Sequence, residues 1–261
     1  GRDFLDVLTG TTGGKVFHDV NGNGSFDVGT DSPLPNIDVI ITDSFGVDQT
    51  VVTDMDGNWT ATVPPGNTGV NVVQADPQFT AVFSLGFTQT AGTDPNTIIA
   101  VSSVNTPAGE DGFRQVGTIT GHLYIDTNGN GTQDSGEPDL ANIDVIITDS
   151  TSTTQTVSTD VNGNWTATVP PGSTSANVDN SDPQFPSGVT QIEGTDPTSV
   201  TAVANASTSA GNDGYFVPGT ISGSVTADTD NDDDGDDPIS GVTLTLKDGN
   251  GNDIDSNTGL P

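Results

Sequence analysis

Cysteine is absent from this chain of 261 residues, so neither disulfides nor thiolate metal sites can stabilise its fold. Basic residues are scarce as well: four Lys and Arg stand against 36 Asp and Glu, and the formal net charge is -32. A nucleic-acid interface needs clustered basic residues, and an anionic membrane surface would repel so acidic a chain. No apolar stretch approaches the ~20 residues that cross a bilayer. We therefore expect no nucleic-acid partner and no membrane insertion of this segment.

Hydrophobic residues make up only 30% of the sequence. Low hydrophobicity with high net charge is typical of disordered chains, but here the apolar residues alternate with polar ones in short runs, as they do in strands. Small cores without disulfides need another source of stability, and bound metal is the obvious candidate. Cations would also relieve the repulsion among the carboxylates.

Long segments of the sequence occur twice, and one of them begins to occur a third time. The repeated segments are residues 14–24, 121–131 and 223–230, then 36–42 and 142–148, then 57–66 and 163–172. Internal repetition of this length indicates tandem copies of one folding unit.

The repeats divide the chain into four parts. Module 1 covers residues 10–116, module 2 covers 117–218, and an incomplete module 3 covers 219–261. Residues 1–9 are similar to the closing stretch of a module, so we expect them to be the tail strand of a preceding module or a donor strand for another chain. The sequence thus looks like a window from a longer tandem array.

Short runs of alternating apolar and polar residues, bounded by Gly, Pro, Asn and Asp, predict antiparallel strands in each module. Ile37, Val39 and Ile41 form one such run, and Trp59 shares the phase of Ala61 in another, which predicts a Trp in the core. No window has a helical period. About seven short strands per ~100 residues indicate an immunoglobulin-like sandwich. The predicted fold class is all-β: tandem immunoglobulin-like β-sandwich modules, arranged as beads on a string.

The turn after the first strand of module 2 has the spacing of an EF-hand loop, with glycine at loop position 6. The oxygen-bearing side chains at loop positions 1, 3, 5, 9 and 12 are Asp126, Asn128, Asn130, Asp134 and Glu137. A hard cation needs six to eight oxygen ligands at about 2.3–2.6 Å, which alternate residues of a tightly curled loop can supply. This spacing predicts a Ca2+ site between two strands.

Module 1 has the same residue types at the first four of these positions, namely Asp19, Asn21, Asn23 and Asp27. Position 12 is Thr30, so we predict that Asp31, one residue later, supplies the closing ligand. Module 3 has alternating acids at the equivalent place, namely Asp228, Asp230, Asp232, Asp234 and Asp236, but Asp233 occupies the position of the glycine. Asn-Gly segments also form ordinary β-turns. Repetition of the loop at equivalent places in a very acidic chain favours Ca2+.

The order of the motifs resembles a known family. A Gly-Thr-Ile-x-Gly strand, the Asp-x-Asn-x-Asn-Gly loop, Thr-Asp-x-x-Gly-Asn-Trp and a Val-Pro-Pro-Gly turn are similar to the B-type repeats of serine–aspartate repeat surface adhesins, within the collagen-adhesin B-type (prealbumin-like) family. The resemblance covers nearly the whole chain. It implies calcium-stabilised sandwiches arrayed as stalks on a bacterial surface, hence an extracellular location, and it implies no particular adhesion ligand.

Two classes of function follow from these patterns. We expect a structural element of an extracellular stalk or fibre; the alternative is a ligand-binding adhesin or carbohydrate-binding surface module, whose site would lie where the modules diverge, at residues 80–110 and 186–211. Enzymatic activity is not expected, because His18 and His122 occupy non-equivalent positions and no serine lies in an elbow motif.

The expected partners are neighbouring modules of the same chain or of identical chains. Val242, Leu244 and Leu246 repeat the strand pattern in module 3, which would expose them without further strands. A strand from another chain, such as residues 4–8, could complete that module and give a head-to-tail polymer. Sequons such as Asn58-Trp59-Thr60 make glycans a further candidate partner.

Overall fold

The computed structural model describes residues 8–247 and 251–253, and strands dominate it. Module 1 contains β1 (Gly10–His18), β2 (Ser32–Pro33), β3 (Asp38–Thr42), β4 (Asp48–Val52), β5 (Asn58–Val63), β6 (Gly66–Val72), helix α1 (Pro77–Val82), β7 (Phe87–Ala91), β8 (Asn96–Ala100) and β9 (Asn105–Gln115). Gly, Pro, Asn and Asp occupy most of the connections, as the sequence predicts.

Module 1 is an immunoglobulin-like β-sandwich of two sheets. One sheet has the order β2-β1-β9-β7, with β5 beside the first part of β1, and the other has the order β4-β3-β6-β8. The first and last strands, β1 and β9, are parallel neighbours from Thr11 opposite Asn105 to His18 opposite Phe113, with a register shift between Gly13 and Gly14. The remaining strand pairs of the module are antiparallel.

Module 2 has the same architecture. Its strands are β10 (Gly117–Ile125), β11 (Asp144–Thr148), β12 (Thr154–Ser158), β13 (Asn164–Val169), β14 (Gly172–Val178), β15 (Thr190–Glu193), β16 (Thr198–Ala202) and β17 (Ser207–Phe216). They form sheets of order β13-β10-β17-β15 and β12-β11-β14-β16, and β10 and β17 are again a parallel pair. An isolated bridge between Tyr124 and Asp139 stands where module 1 has β2.

The core of each module lies between its two sheets. Ile37, Val39 and Ile41 are buried, which confirms the strand phase predicted for β3. Trp59 and Trp165 are each 3% exposed and belong to the core clusters of modules 1 and 2, so their predicted core position is also confirmed. Burying one large apolar side chain contributes about 1.5–3 kcal/mol, so each core rests on a dozen or so such contributions.

Module 1 contains one short helix, α1, which the search for a helical period did not reveal. Asp76 caps helix α1, because its carboxylate accepts a hydrogen bond from the backbone N–H of Gln78, and Pro77 occupies the first turn. In module 2 the Asp182 carboxylate accepts the equivalent bond from Gln184. Pro186 follows two residues later and no helix forms there, as expected of a residue that cannot continue a helical hydrogen-bond pattern.

Modules 1 and 2 are joined by one residue. Strand β9 ends at Gln115, β10 begins at Gly117, and Val116 between them is 4% exposed. Its N–H donates to Gly86 in module 1 (3.3 Å), and its carbonyl accepts from the N–H of Asn205 in module 2 (2.8 Å). The connector is therefore buried and bonded to both modules.

A second contact crosses the same joint. Nη1 of Arg114 donates to the carbonyl of Pro171 at 3.2 Å, so the last strand of module 1 contacts a β-hairpin turn of module 2. The guanidinium also lies against Gly22 in the loop after β1: a methyl group placed on Gly22 would come within 2.8 Å of Nη1. The loop of module 1 and the joint are thus in direct contact.

Module 3 has little regular structure among its described residues. It contains the two-residue strands β18 (Thr226–Ala227) and β19 (Asp237–Pro238), which pair with each other. The strand predicted for Val242, Leu244 and Leu246 is wrong, because no strand includes these residues, although their predicted exposure is confirmed. Two strands without further partners are marginal in water.

The predicted donor segment, residues 1–9, falls almost wholly outside the part of the chain that the structure describes, which begins at residue 8. No helix among the described residues is long and apolar enough to cross a membrane.

Candidate metal centres

The two complete candidate loops begin at the ends of β1 and β10. Asp19 and Asp126, at loop position 1, are fully buried. Their backbone N–H groups continue the pairing with the last strand of the module, since Asp19 donates to Phe113 (2.9 Å) and Asp126 donates to Tyr215 (3.0 Å). The first predicted ligand of each loop is therefore fixed by the sheet.

The carboxylate at position 1 organises the following turn. In module 1 its two oxygens accept the N–H groups of Gly22 (2.6 Å) and Gly24 (2.8 Å). Both glycines have positive φ angles, 74° and 76°, a conformation that costs glycine little. Burial alone would raise the pKa of Asp19, but hydrogen bonds from the Thr90 side chain and from the loop backbone outweigh it, and the pKa is lowered. The buried group thus stays ionised.

The side chains at loop positions 3, 5 and 9 come together in both long loops. The side-chain amides of Asn21 and Asn23 both donate to Oδ2 of Asp27, at 2.8 and 2.6 Å. In module 2 the amides of Asn128 and Asn130 donate to Oδ2 of Asp134, both at 2.8 Å. A hard cation at this point would be within reach of the carboxylate and of the two amide oxygens, provided that the amides turn.

The last predicted ligand occupies the same place in both loops although it lies at different sequence positions. Glu137 accepts the N–H of Thr127 (2.8 Å) with one oxygen and that of Asp134 (2.9 Å) with the other. Asp31 accepts the N–H groups of residues 20 and 27, the same loop positions 2 and 9, at 2.9 and 2.7 Å. Asp31 has a shorter side chain and lies one residue later, and the two differences offset each other.

The loop of module 3 keeps this arrangement without glycine. Asp228 accepts the N–H groups of Asn231 (2.6 Å) and Asp233 (3.2 Å), which have φ angles of 63° and 69°. Asp233 thus adopts the conformation of the glycine that it replaces, which short polar side chains tolerate best. Asp236 accepts the N–H of Thr229 (2.8 Å), the contact that Glu137 makes in module 2.

Three of the five acids predicted for module 3 come together. Oxygens of Asp228, Asp230 and Asp236 lie within 4.8 Å of one another, and across residues 8–247 and 251–253 this is the one group of three such side chains that is so close. Asp232 instead accepts the N–H of Asp234 within its own turn (3.0 Å). The structure therefore does not bring Asp232 and Asp234 into the cluster.

Sequence reasoning missed a buried pair of acids in each module. In module 1, Asp111 on β9 is 4% exposed and accepts a hydrogen bond from the Gln89 side chain (3.3 Å). Asp94 accepts from the backbone of Val72 (2.8 Å) and from the side chain of Gln74 (2.9 Å). Burial, and secondarily the charge of Asp94, raises the pKa of Asp111 to about 7.

Module 2 repeats the pair with Asp196 and Asp213. Asp213 accepts from the side chain of Gln191 (2.8 Å), and burial with the nearby charge of Asp196 raises its pKa to about 7. The sequence signal was present, because Gly-Thr-Asp-Pro occurs at 92–95 and again at 194–197. This repetition singles out the acid, but nothing in its spacing indicates burial.

The remaining polar residues singled out in the sequence do not join these sites. Asp54, the acid of the Thr-Asp-x-x-Gly-Asn-Trp motif, accepts the N–H groups of Asp56 and Asn58 within its own hairpin turn (2.9 and 2.8 Å). His18 packs edge-on against Phe83, whereas His122 lies 3.3 Å from the Asp139 carboxylate. The two histidines have different surroundings in different modules.

No family model and no curated protein matches the chain. Solved structures that are similar to it include the minor pilin GBS52 of Streptococcus agalactiae, at 9% identity and a TM-score of 0.35, covering 82% of this chain and 99% of that chain. The shaft pilin SpaA of Lactobacillus rhamnosus GG is 11% identical, with a TM-score of 0.31 and coverages of 82% and 99%. The Bacillus anthracis TIE protein is 12% identical, with a TM-score of 0.33 and a coverage of 81% of this chain. The chain spans 34% of the length of that protein.

Proposed function

We propose that this chain is a calcium-stabilised structural segment of an extracellular stalk or fibre on a bacterial surface. The observation that carries the proposal is the joint: two sandwiches of the same architecture follow each other through Val116 alone, and this residue is buried and bonded to both modules. Modules connected in this way form a stiff rod, which suits a spacer. The resemblance to surface-adhesin repeats points in the same direction.

Calcium is the cation that the loops suit best. Their predicted ligands are carboxylate and amide oxygens, with neither sulfur nor imidazole among them, and such a set favours a hard cation. The two long loops offer a carboxylate at both ends, which Ca2+ accommodates at coordination numbers of about 6 to 8. Extracellular modules hold Ca2+ with dissociation constants on the order of 10⁻⁴ to 10⁻³ M, so we expect affinities in that range.

Isothermal titration calorimetry of the full chain with Ca2+ tests the metal part of the proposal. We expect binding that Asp126→Asn weakens in module 2 and Asp19→Asn weakens in module 1. Asp56→Asn is the matched control, because it removes the same charge from an exposed turn where module 2 already has Asn162. No heat of binding at millimolar Ca2+, or equal losses with the control, would contradict calcium stabilisation.

Small-angle X-ray scattering and negative-stain electron microscopy test the structural part. In Ca2+ the chain should appear as a straight rod of two beads, and excess chelator should shorten or bend it. Modules that take many relative orientations in Ca2+ would contradict the role of a spacer.

Head-to-tail association by strand addition is the finer form of the proposal. The exposure of Leu244 and its neighbours Val242 and Leu246 supports it, because no strand within the described residues covers them. Deleting residues 1–9 should abolish polymers seen by electron microscopy. If the chain without residues 1–9 forms as many polymers as the full chain, that segment is not the donor strand. The stalk proposal would then rest on the joint alone.

One observation favours the ligand-binding alternative. Where module 1 has helix α1, module 2 has a cleft of about 320 Å³ whose lining includes Phe185, Gln191 and Tyr215. Titration of the labelled chain with neutral sugars, followed by NMR, tests it: shifts confined to this cleft would favour a binding module.

A further inference from the structure

The two long loops contain a chemically reactive sequence that their proposed metal role leaves unexplained. Asn-Gly pairs occur twice in each loop, with asparagine at residues 21, 23, 128 and 130. In module 3 the equivalent positions are already acids, Asp230 and Asp232. An Asn followed by Gly is the pair most open to attack on the side-chain amide by the next backbone nitrogen, because glycine has no side chain to hinder the approach.

We propose that these four asparagines are self-modification sites, and that the carboxylate at loop position 1 keeps them unreacted in the folded loop. In the reaction the backbone nitrogen of Gly22 forms a bond to Cγ of Asn21. The bond from Cγ to Nδ2 breaks, and ammonia leaves with the proton of the attacking nitrogen. Water then opens the cyclic imide at either of its two carbonyls, giving aspartate or isoaspartate. The net change is loss of ammonia and gain of water, with no oxidant or reductant.

The hydrogen bonds of the loop oppose the first step. The attacking nitrogens of the two pairs in module 1 are those of Gly22 and Gly24, and Asp19 accepts the N–H of both, at 2.6 and 2.8 Å. A nitrogen that donates to a carboxylate points its proton away from the neighbouring side chain, so attack requires that this bond break. The buried carboxylate of Asp19 therefore accepts hydrogen bonds from both attacking nitrogens of its loop.

The side-chain amides that would be attacked are also fixed by hydrogen bonds. The side chain of Asn23 accepts the N–H of Ser25 with its oxygen (2.9 Å) and donates to Asp27 with its nitrogen (2.6 Å). Asn21 makes the corresponding pair of bonds, to Asn23 and Asp27. The amide carbon cannot turn toward the next nitrogen without losing them.

Module 2 provides an independent copy of the arrangement. Asp126 accepts the N–H groups of Gly129 (2.6 Å) and Gly131 (2.7 Å). The exposed turn pair at Asn162 differs, because the N–H of Gly163 donates to the backbone carbonyl of Asp160 (3.0 Å) and to no carboxylate. That pair serves as an internal reference that the loop carboxylates do not protect.

Modification would change the loops permanently. Aspartate at positions 3 and 5 adds negative charge and gives modules 1 and 2 the acids that module 3 has at those positions. Isoaspartate lengthens the backbone by one carbon and shifts every later ligand of the loop. In both cases the extent of conversion would increase with the time that the loop has spent open.

Peptide mapping by mass spectrometry tests the inference on the full chain. Wild-type protein is incubated at mildly alkaline pH under native conditions and in urea, and conversion is followed separately at each asparagine. We expect the four loop asparagines to react at least about tenfold more slowly in the native chain, the factor that corresponds to one charged hydrogen bond. Equal rates in the two conditions would overturn the inference whatever the variants show.

Asp19→Asn and Asp126→Asn then assign the protection to single residues. Asp19→Asn should raise conversion at residues 21 and 23 about tenfold and leave 128, 130 and 162 unchanged, and Asp126→Asn should give the mirror result. Tryptophan fluorescence reports whether each module is still folded. A folded Asp19→Asn chain with unchanged rates at 21 and 23 would overturn the role of that carboxylate. If the variant unfolds module 1, the wild-type comparison decides.

Repeating the incubation in Ca2+ and in chelator separates this inference from the proposed function. Only this part of the experiment rests on the proposed function. If Ca2+ binds the loops, conversion at the loop asparagines should be slower in Ca2+ than in chelator. Slow native conversion that Ca2+ leaves unchanged would preserve the inference and count against calcium binding.

Discussion

Replacing Asp111 by Asn tests the buried acid pair of module 1. The pKa of Asp111 is raised to about 7 in the fold, against 3.8 for the unperturbed group. Between these values the folded chain holds a proton that the unfolded chain has lost, so the free energy of unfolding falls as the pH rises through this window and is lowest above about pH 7. At 1.36 kcal/mol per pH unit, the difference corresponds to at most about 4 kcal/mol for this one carboxyl.

The amide of Asn keeps the shape of the protonated acid and cannot ionise. We therefore expect Asp111→Asn to raise the free energy of unfolding of module 1 by about 2 kcal/mol at about pH 5 and by up to about 4 kcal/mol at about pH 8. Urea unfolding at fixed excess Ca2+, across this pH range, measures the effect. Asp213→Asn should do the same in module 2, where the pKa of Asp213 is also about 7.

The exposed substitution Asp56→Asn is the matched control, since it removes an equal charge without changing a buried group. A variant Asp111→Asn that has the same pH slope as the parent would refute the reasoning. So would a loss of stability of equal size at both ends of the pH range, which would indicate only a disturbed hydrogen-bond network.

Three further outcomes are expected. Glu137→Gln should weaken Ca2+ binding to module 2 about tenfold or more in a calorimetric titration, because the closing carboxylate loses its charge; unchanged affinity would remove it from the ligand set. Gly121→Ala should cost module 2 about 1–3 kcal/mol in urea unfolding, because the added methyl group would lie 2.5 Å from the Trp165 ring; a neutral result would mean that the indole can move aside. Arg114→Ala should broaden the range of inter-module angles seen by small-angle scattering and leave both unfolding midpoints in place, since it removes the bond to Pro171 and the contact with Gly22 but no member of the core cluster; an unchanged scattering profile would leave Val116 as the sole determinant of the joint.

Strand positions could be predicted where one face of the strand is buried and the other is exposed to solvent. The strands β5 and β13 alternate residue by residue between exposed and buried, and that alternation is written directly in the sequence. Helix α1 could not be predicted in this way, because six residues make fewer than two helical turns and show no period. Its signals were local: the Asp76 cap, and Pro77 after it.

The convergence of the side chains in the candidate loops could be predicted because these residues are close in sequence. The place of Asp31 followed from counting, whereas its equivalence to Glu137 depends on which backbone groups each carboxylate reaches. The buried pair of Asp94 and Asp111 could not be predicted, because these residues become neighbours only when β7 pairs with β9. The strand predicted around Leu244 failed for a related reason: a strand needs partners, and periodicity does not supply them.

The parallel pairing of first and last strands has a mechanical consequence. The chain enters module 1 at the start of β1 and leaves it at the end of β9, and these two strands lie side by side and point the same way. Pulling on the two ends of the module therefore slides β1 along β9 and loads all the hydrogen bonds between them at once, instead of opening them one after another. Because β10 begins two residues after β9 ends, the same load passes directly to the β10–β17 pair of module 2. A stalk of such modules would carry tension in shear from end to end, and single-molecule pulling would reveal it as a high, repeated unfolding force.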